Sequence, residues 1–270
     1  MRKSIFAILC VLCVFLMAGC SNLPGAEPTV PTTTAAPQKS AYEIVNEALA
    51  KTEALDTMDM EMKMSIAMSM QGESMEMPMT VKIKGKNLQS ESPVISSNIS
   101  MTVLGMETNV DMYQEGTWAY ITTMGTSYKM NVSAGNQFDY FNTASDMLQD
   151  IPEELLKGLK LTQNADGSET ITLSIPNEMF SEIYGSMIDS MNQSTGLGST
   201  SDISIKDATV RITIDNDFIK VYDMSFVMDM TVTGISVSSS VTASITYENP
   251  GQDVTITPPE GYQNFPEISG

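Results

Sequence analysis

From residue 57 onward the chain alternates apolar and polar positions with a period of two; just before, it keeps a period of 3.6. The stretch "AYEIVNEALAKTEAL", residues 41–55, predicts a helix with Ile44, Ala48, Lys51 and Leu55 on one side and Val45 and Leu49 beside them. Ser40 stands three residues ahead of Glu43, the spacing of a capping box. Residues 57–70 and 75–84 then predict a hairpin turning at Gln71-Gly72-Glu73-Ser74. Methionine fills most of its apolar positions: Met58, Met60, Met62, Met64, Met68 and Met70, then Met75, Met77 and Met79. Four shorter strands follow, at 95–103, 106–112, 117–123 and 126–132, with Gly105, Gly116 and Gly125 at the breaks, which reads as an antiparallel meander.

Two helical patterns interrupt the strands. Residues 136–151 place Phe141, Ala144, Leu148 and Ile151 on one face. Residues 176–193 carry a cleaner stripe of Met179, Phe180, Ile183, Tyr184, Met187, Ile188 and Met191, which must lie on something apolar. Between them a hairpin is expected around Asn164-Ala165-Asp166-Gly167. The last third predicts three long strands, with a turn at Asp215-Asn216-Asp217 and an unbroken apolar face of Tyr222, Met224, Phe226, Met228, Met230 and Val232. One apolar face per strand means one buried side and one wet side. A proline-rich tail closes the chain.

The N-terminal forty residues belong to no such pattern. Arg2 and Lys3 precede an apolar run from Ile5 to Leu16, too short for a permanent membrane helix of about 20 residues. With Met17-Ala18-Gly19-Cys20 at its end, the run reads as a secretory signal over residues 1–19. Residues 20–40, with four prolines among threonines, read as a solvated tether, and residues 41–270 as one β-rich domain.

Charge and composition then narrow the chemistry. Removal of Arg2 and Lys3 leaves twelve of the fourteen cations against 33 carboxylates, a net charge of −21. Such a surface repels nucleic acid and anionic headgroups, so no nucleic-acid partner is expected. The chain has no histidine, and after the signal its one cysteine is Cys20, so zinc sites, imidazole bases and thiol nucleophiles have no residues to build them. Acidic residues fall mostly on the polar side of the strands, and "DND" lacks the glycine and final glutamate of a calcium loop. No enzymatic activity, metal or cofactor is therefore expected. Trp118, Tyr113, Tyr120 and Tyr128 could form a sugar or lipid platform, or simply pair across neighbouring strands.

The last residues of the signal resemble a bacterial lipobox, which implies diacylglycerol on Cys20 and anchoring at the outer face of the cell membrane. Together with the Thr/Pro tether, the "IVNEALAKTEAL" helix, "VRITIDNDFIKVYDMSFVMDM" and "YENPGQDVTITPP", it resembles Gram-positive lipoproteins of the LolA/LppX-like superfamily, closest to families of unknown function. That resemblance implies an α+β fold: a single curved antiparallel sheet of about eleven strands, an open half-barrel with helices on its concave face. It also implies a hydrophobic ligand, a lipid or acyl chain. The candidate wall for it is Met60, Met62, Met64, Met77, Met79, Met179, Ile183, Met187, Met224, Phe226, Met228 and Met230.

Three readings of the methionines stay open. They fill an irregular core, they form a deformable wall for acyl chains, or their thioethers hold Cu(I). A ligand-free domain acting through a protein partner is the alternative to lipid binding.

Overall fold

The computed structural model describes residues 39–70, 73–103, 105–132, 161–177, 203–232 and 235–268, together with Leu155, Leu159 and Met179. The signal, Cys20 and the helix expected at 136–151 lie outside these residues. So does most of the 176–193 helix, of which Asn177 and Met179 are helical.

Helix α1, Ala41–Glu53, starts where the sequence places it. Ser40 Oγ accepts from the Glu43 amide at 3.2 Å, and the Glu43 carboxylate accepts from the Ser40 amide at 2.7 Å. Its buried stripe is Ala41, Val45, Ala48 and Leu49. The face thus differs from the expected one: Ile44 is half-buried, and Lys51 turns outward to Asp217 at 2.6 Å. The helical period places residues four, seven and eight positions after Ala41 on its side. Thr52 ties the helix to the sheet, its Oγ1 accepting from the Ile219 amide at 3.0 Å.

Eleven strands form one open antiparallel sheet: β1 Thr57–Met70, β2 Glu73–Lys86, β3 Val94–Val103, β4 Met106–Glu115, β5 Trp118–Thr123, β6 Thr126–Asn131, β7 Thr162–Gln163, β8 Glu169–Ile175, β9 Ile203–Asp215, β10 Phe218–Val232 and β11 Ile235–Tyr247. Their spatial order is β6-β5-β4-β3-β2-β1-β11-β10-β9-β8-β7, so two meanders meet where β1 pairs with β11. The expected α+β half-barrel is the fold. One hairpin is longer than predicted: Met70 pairs with Glu73, so the strands run past the expected 71–74 turn. At the β9–β10 turn Asn216 and Asp217 both have positive φ, 51° and 66°, as a two-residue hairpin loop demands.

Because β-strand side chains alternate, the register assigns every residue to a face. The helix-bearing face carries the core, in which Val45 and Leu49 of α1 share one cluster with Met60, Ile83, Ile95, Ile171, Val210 and Tyr222. Burial of an aliphatic side chain of this size contributes about 1.5–3 kcal/mol.

The C-terminal tail crosses the other face. Tyr262 packs edge-on against Tyr113 (5.2 Å) and Tyr120 (4.8 Å) and donates to Glu115 at 3.0 Å. The backbone at Pro266 and Ile268 then bonds Lys129 of edge strand β6, at 2.9 and 3.0 Å. An edge strand left bare is a template for aggregation, and the tail covers part of this one. Tyr113 and Tyr120 are therefore a cross-strand pair capped by the chain's own tail, while Tyr128 points to the opposite face.

Burial pushes the Tyr113 hydroxyl up to about 12, with the Glu115 charge adding to it, and burial pushes Tyr247 up to about 12, helped by Glu53. Folding favours the neutral phenols, so their contribution is complete below pH 10, the ordinary tyrosine value, and is lost as pH climbs through 12. Replacing both by phenylalanine should flatten the alkaline fall of Tm across that window. An unchanged fall in the double variant would show that these tyrosines do not drive it.

Candidate hydrophobic site

The expected wall residues that lie within the described strands do share one face. Cross-strand register lines them up in rows: Met101, Met79, Met64, Ala243, Met224, Val210 and Leu173 run across seven strands. One step along lies Ile99–Val81–Met62–Ile245–Tyr222–Ile212–Ile171. In the other direction lie Met77–Ile66–Val241–Phe226 and then Met75–Met68–Ser239–Met228–Ile205. The methionines of two distant segments thus become neighbours only through β11.

Accessibility divides them. Met60, Met64, Met77, Met224 and Met228 are buried. Met62, Met79, Met179 and Phe226 are half-buried against the same core. Met230 pairs with Val237 and Ile203 on the strand backbone. Ile183 and Met187 lie outside the described residues. From Met60 to Met68 the face extends about 26 Å at roughly 3.3 Å per residue.

Three polar side chains on this face escaped sequence reasoning. Ser239 is completely buried between Met68 and Met228, and its hydroxyl has no hydrogen-bond partner among the described residues. The Ser97 hydroxyl and the Gln114 amide oxygen are likewise buried without partners among the described residues. The signal was present in the alternation, since Ser97 falls between Ile95 and Ile99 and Ser239 between Val237 and Val241. A buried polar group left unmatched costs about 1–3 kcal/mol, so these positions are weak points of the face.

The opposite face is polar and paired. Lys84–Asp59 (2.9 Å), Lys63–Glu61 (2.6 Å), Lys206–Asp229 (2.7 Å) and Arg211–Asp223 (2.6 Å) bridge neighbouring positions. Among the described residues no group of three His, Cys, Asp or Glu side chains could hold a metal ion. No helix among them is long and apolar enough to cross a membrane.

The chain belongs to a family of unknown function, DUF6612, whose pattern matches residues 40–261. No curated protein matches it. Its structure is similar to that of LprF from Mycobacterium bovis (13% identity, TM-score 0.41, 82% of this chain and 97% of that one). It is also similar to a DUF1329 family protein from Desulfovibrio piger (12%, 0.26, 81% and 96%) and a LolA superfamily protein from Nitrosomonas europaea (9%, 0.23, 81% and 96%). The LolA superfamily is the one its strand pattern resembles. At TM-scores of 0.41 and below, no ligand, partner or location passes from those proteins to this chain.

If packing is what Met60, Met62 and Met64 supply, shape and not sulfur is the property that matters. Leucine has nearly the same volume, so replacing all three should cost less than about 1.5 kcal/mol per site in urea unfolding, whereas Met64→Ala alone should cost about 2–5 kcal/mol. Tight Cu(I) binding by the parent that vanishes in the triple leucine variant would contradict this.

Proposed function

We propose that this protein is an extracytoplasmic lipoprotein, held at the outer face of the membrane by acylated Cys20. It carries out no reaction and binds a hydrophobic small molecule, a lipid or acyl chain, on the helix-bearing face of its sheet. The observation that carries this reading is the half-buried set Met62, Met79, Phe226 and Met179, apolar side chains still partly open beside a closed core. Flexible thioethers fit acyl chains of varied shape, since methionine repacks at little cost. The acyl chains on Cys20 would supply the membrane affinity that an acidic surface cannot.

A second reading rests on the burial of Met60, Met64, Met77, Met224 and Met228. On that reading the methionines only fill a core, and the domain acts without a ligand through a protein partner.

Native mass spectrometry of the full-length protein separates the two. Lipid binding predicts a co-purifying adduct and displacement of a fluorescent fatty acid, both lost in Met62→Asp with Phe226→Asp. Absence of any adduct or fatty-acid binding would leave the ligand-free reading. In the same preparation Cys20→Ala should appear outside the membrane fraction or unprocessed. Full membrane retention of a signal-cleaved Cys20→Ala protein would refute the anchor.

A further inference from the structure

The hairpins of the first meander end in step. Met101 pairs with Met79, so the Val103 end of β3 comes level with Met77, four residues inside the Glu73 start of β2. Thr123 pairs with Val110, again four residues inside the Met106 start of β4. The β1–β2, β3–β4 and β5–β6 turns therefore fall on one line across the sheet, and the β10–β11 turn lies at the same end, beside β1. Successive tips of that line stand about 16 Å apart on an unrolled sheet, at roughly 3.3 Å per residue and roughly 4.8 Å per strand.

These tips differ in character from the turns at the other end. In sequence they read Gln71-Gly72, Leu104-Gly105, Met124-Gly125 and Thr233-Gly234, without a charge. The turns and strand ends opposite hold Glu91, Glu115, Asp166, Asp215 and Asp217. Three large apolar side chains are exposed among the described residues, and two of them, Met106 (67%) and Met124 (83%), stand at adjacent tips. Met124 has φ 51° in a two-residue loop, a position that favours Asn, Asp or Gly, as Asn216-Asp217 illustrates at the other end. Neither turn geometry nor packing asks for a methionine there.

We propose that this rim docks on a bilayer surface, with Met106 and Met124 reaching the boundary between headgroups and acyl chains. The inference rests on the lipoprotein reading above, which puts a membrane within reach. Residues 21–38 extend to about 60 Å and the longest strand, β10, to about 50 Å, so the tether lets either end of the sheet meet the bilayer. A protein partner would need a contiguous packed patch with aromatic or arginine anchors, and separate tips offer none. A bilayer takes each side chain singly. The acidic end then points away from the surface, and Glu73 and Glu107, which follow two of the tips, keep the rim out of the hydrocarbon. Two thioethers bind a bilayer weakly in free solution, but the anchor raises their effective concentration. The row Met75–Met68–Ser239–Met228 lies next to the Met70 end of β1, which gives an acyl chain leaving the bilayer a direct path onto the methionine face.

Trp118, the single tryptophan, begins β5 at the opposite end and serves as an internal control. The mature chain is held on phosphatidylcholine vesicles with brominated acyl chains, through its own acyl groups or, when unacylated, through a maleimide lipid coupled to Cys20, its one thiol. Immersed about 5–10 Å, the added tryptophan of Met124→Trp or Met106→Trp should lose about half its emission or more relative to plain vesicles, while Trp118 of the parent is unquenched. Adding Met106→Asp to Met124→Trp should restore the emission and leave the melting temperature unchanged, since Met106 is exposed. The readout needs neither a bound ligand nor native acylation, so its failure is distinct from failure of the lipid-binding or anchor tests above. Emission indifferent to bromine in both tryptophan variants overturns the proposal. So does equal quenching of Trp118, which would mean that the domain meets the membrane without a preferred end.

Discussion

The pairing of β1 with β11 turns two meanders into one protein. It runs from Met60 opposite Tyr247 to Met70 opposite Val237, joining residues that lie far apart in the chain. Closing so long a loop costs only slightly more than closing a short one, about 0.6 kcal/mol per doubling of length. What offsets it is the set of ladder bonds along both strands and the apolar rows that close only when both halves are present. A slip of one residue would set Met64 opposite Thr242 or Ser244, turning one strand's apolar set to the polar face and its polar neighbours into the core, so the alternation enforces the register. Such long-range pairing is slow to form.

The same pairing defines two faces. On one, methionines from β1 and β2 meet those of β10 across Ala243 and Ser239. Their unbranched side chains can adjust where the two meanders meet, and β10 itself carries irregularities at Ile219/Val221 and Ser225/Val227. On the other surface, small β11 residues leave a low hydroxyl floor between charged neighbours. Both features follow from one strand whose inward residues, up to Tyr247 at its end, are small or aliphatic and whose outward ones are Ser or Thr.

Local rules made much of this legible in the sequence. The Ser40–Glu43 cap, the alternation through β1 to β6 and the Asn216-Asp217 turn are written in neighbouring residues, and the elements stand close to where they put them, with the first hairpin longer than expected. The common face of the methionines followed from period two. What the sequence did not show was partnership at a distance. Nothing in "ISVSSSVTASITY" marks β1 as its neighbour, and nothing in the tail marks Tyr262 as the cap of Tyr113 and Tyr120. The polar intruders Ser97, Gln114 and Ser239 were missed because short polar side chains look unremarkable inside an alternating strand, although their burial is costly.

Amide hydrogen exchange along β1 and β11 tests the central pairing most directly. With β1 flanked by β2 on one side and β11 on the other, amides on both sides of β1 between Met60 and Met68 should be among the slowest in the protein. Fast exchange of the β11-facing amides, alongside protected β2-facing ones, would mean that the two meanders do not join there and that no continuous apolar face exists.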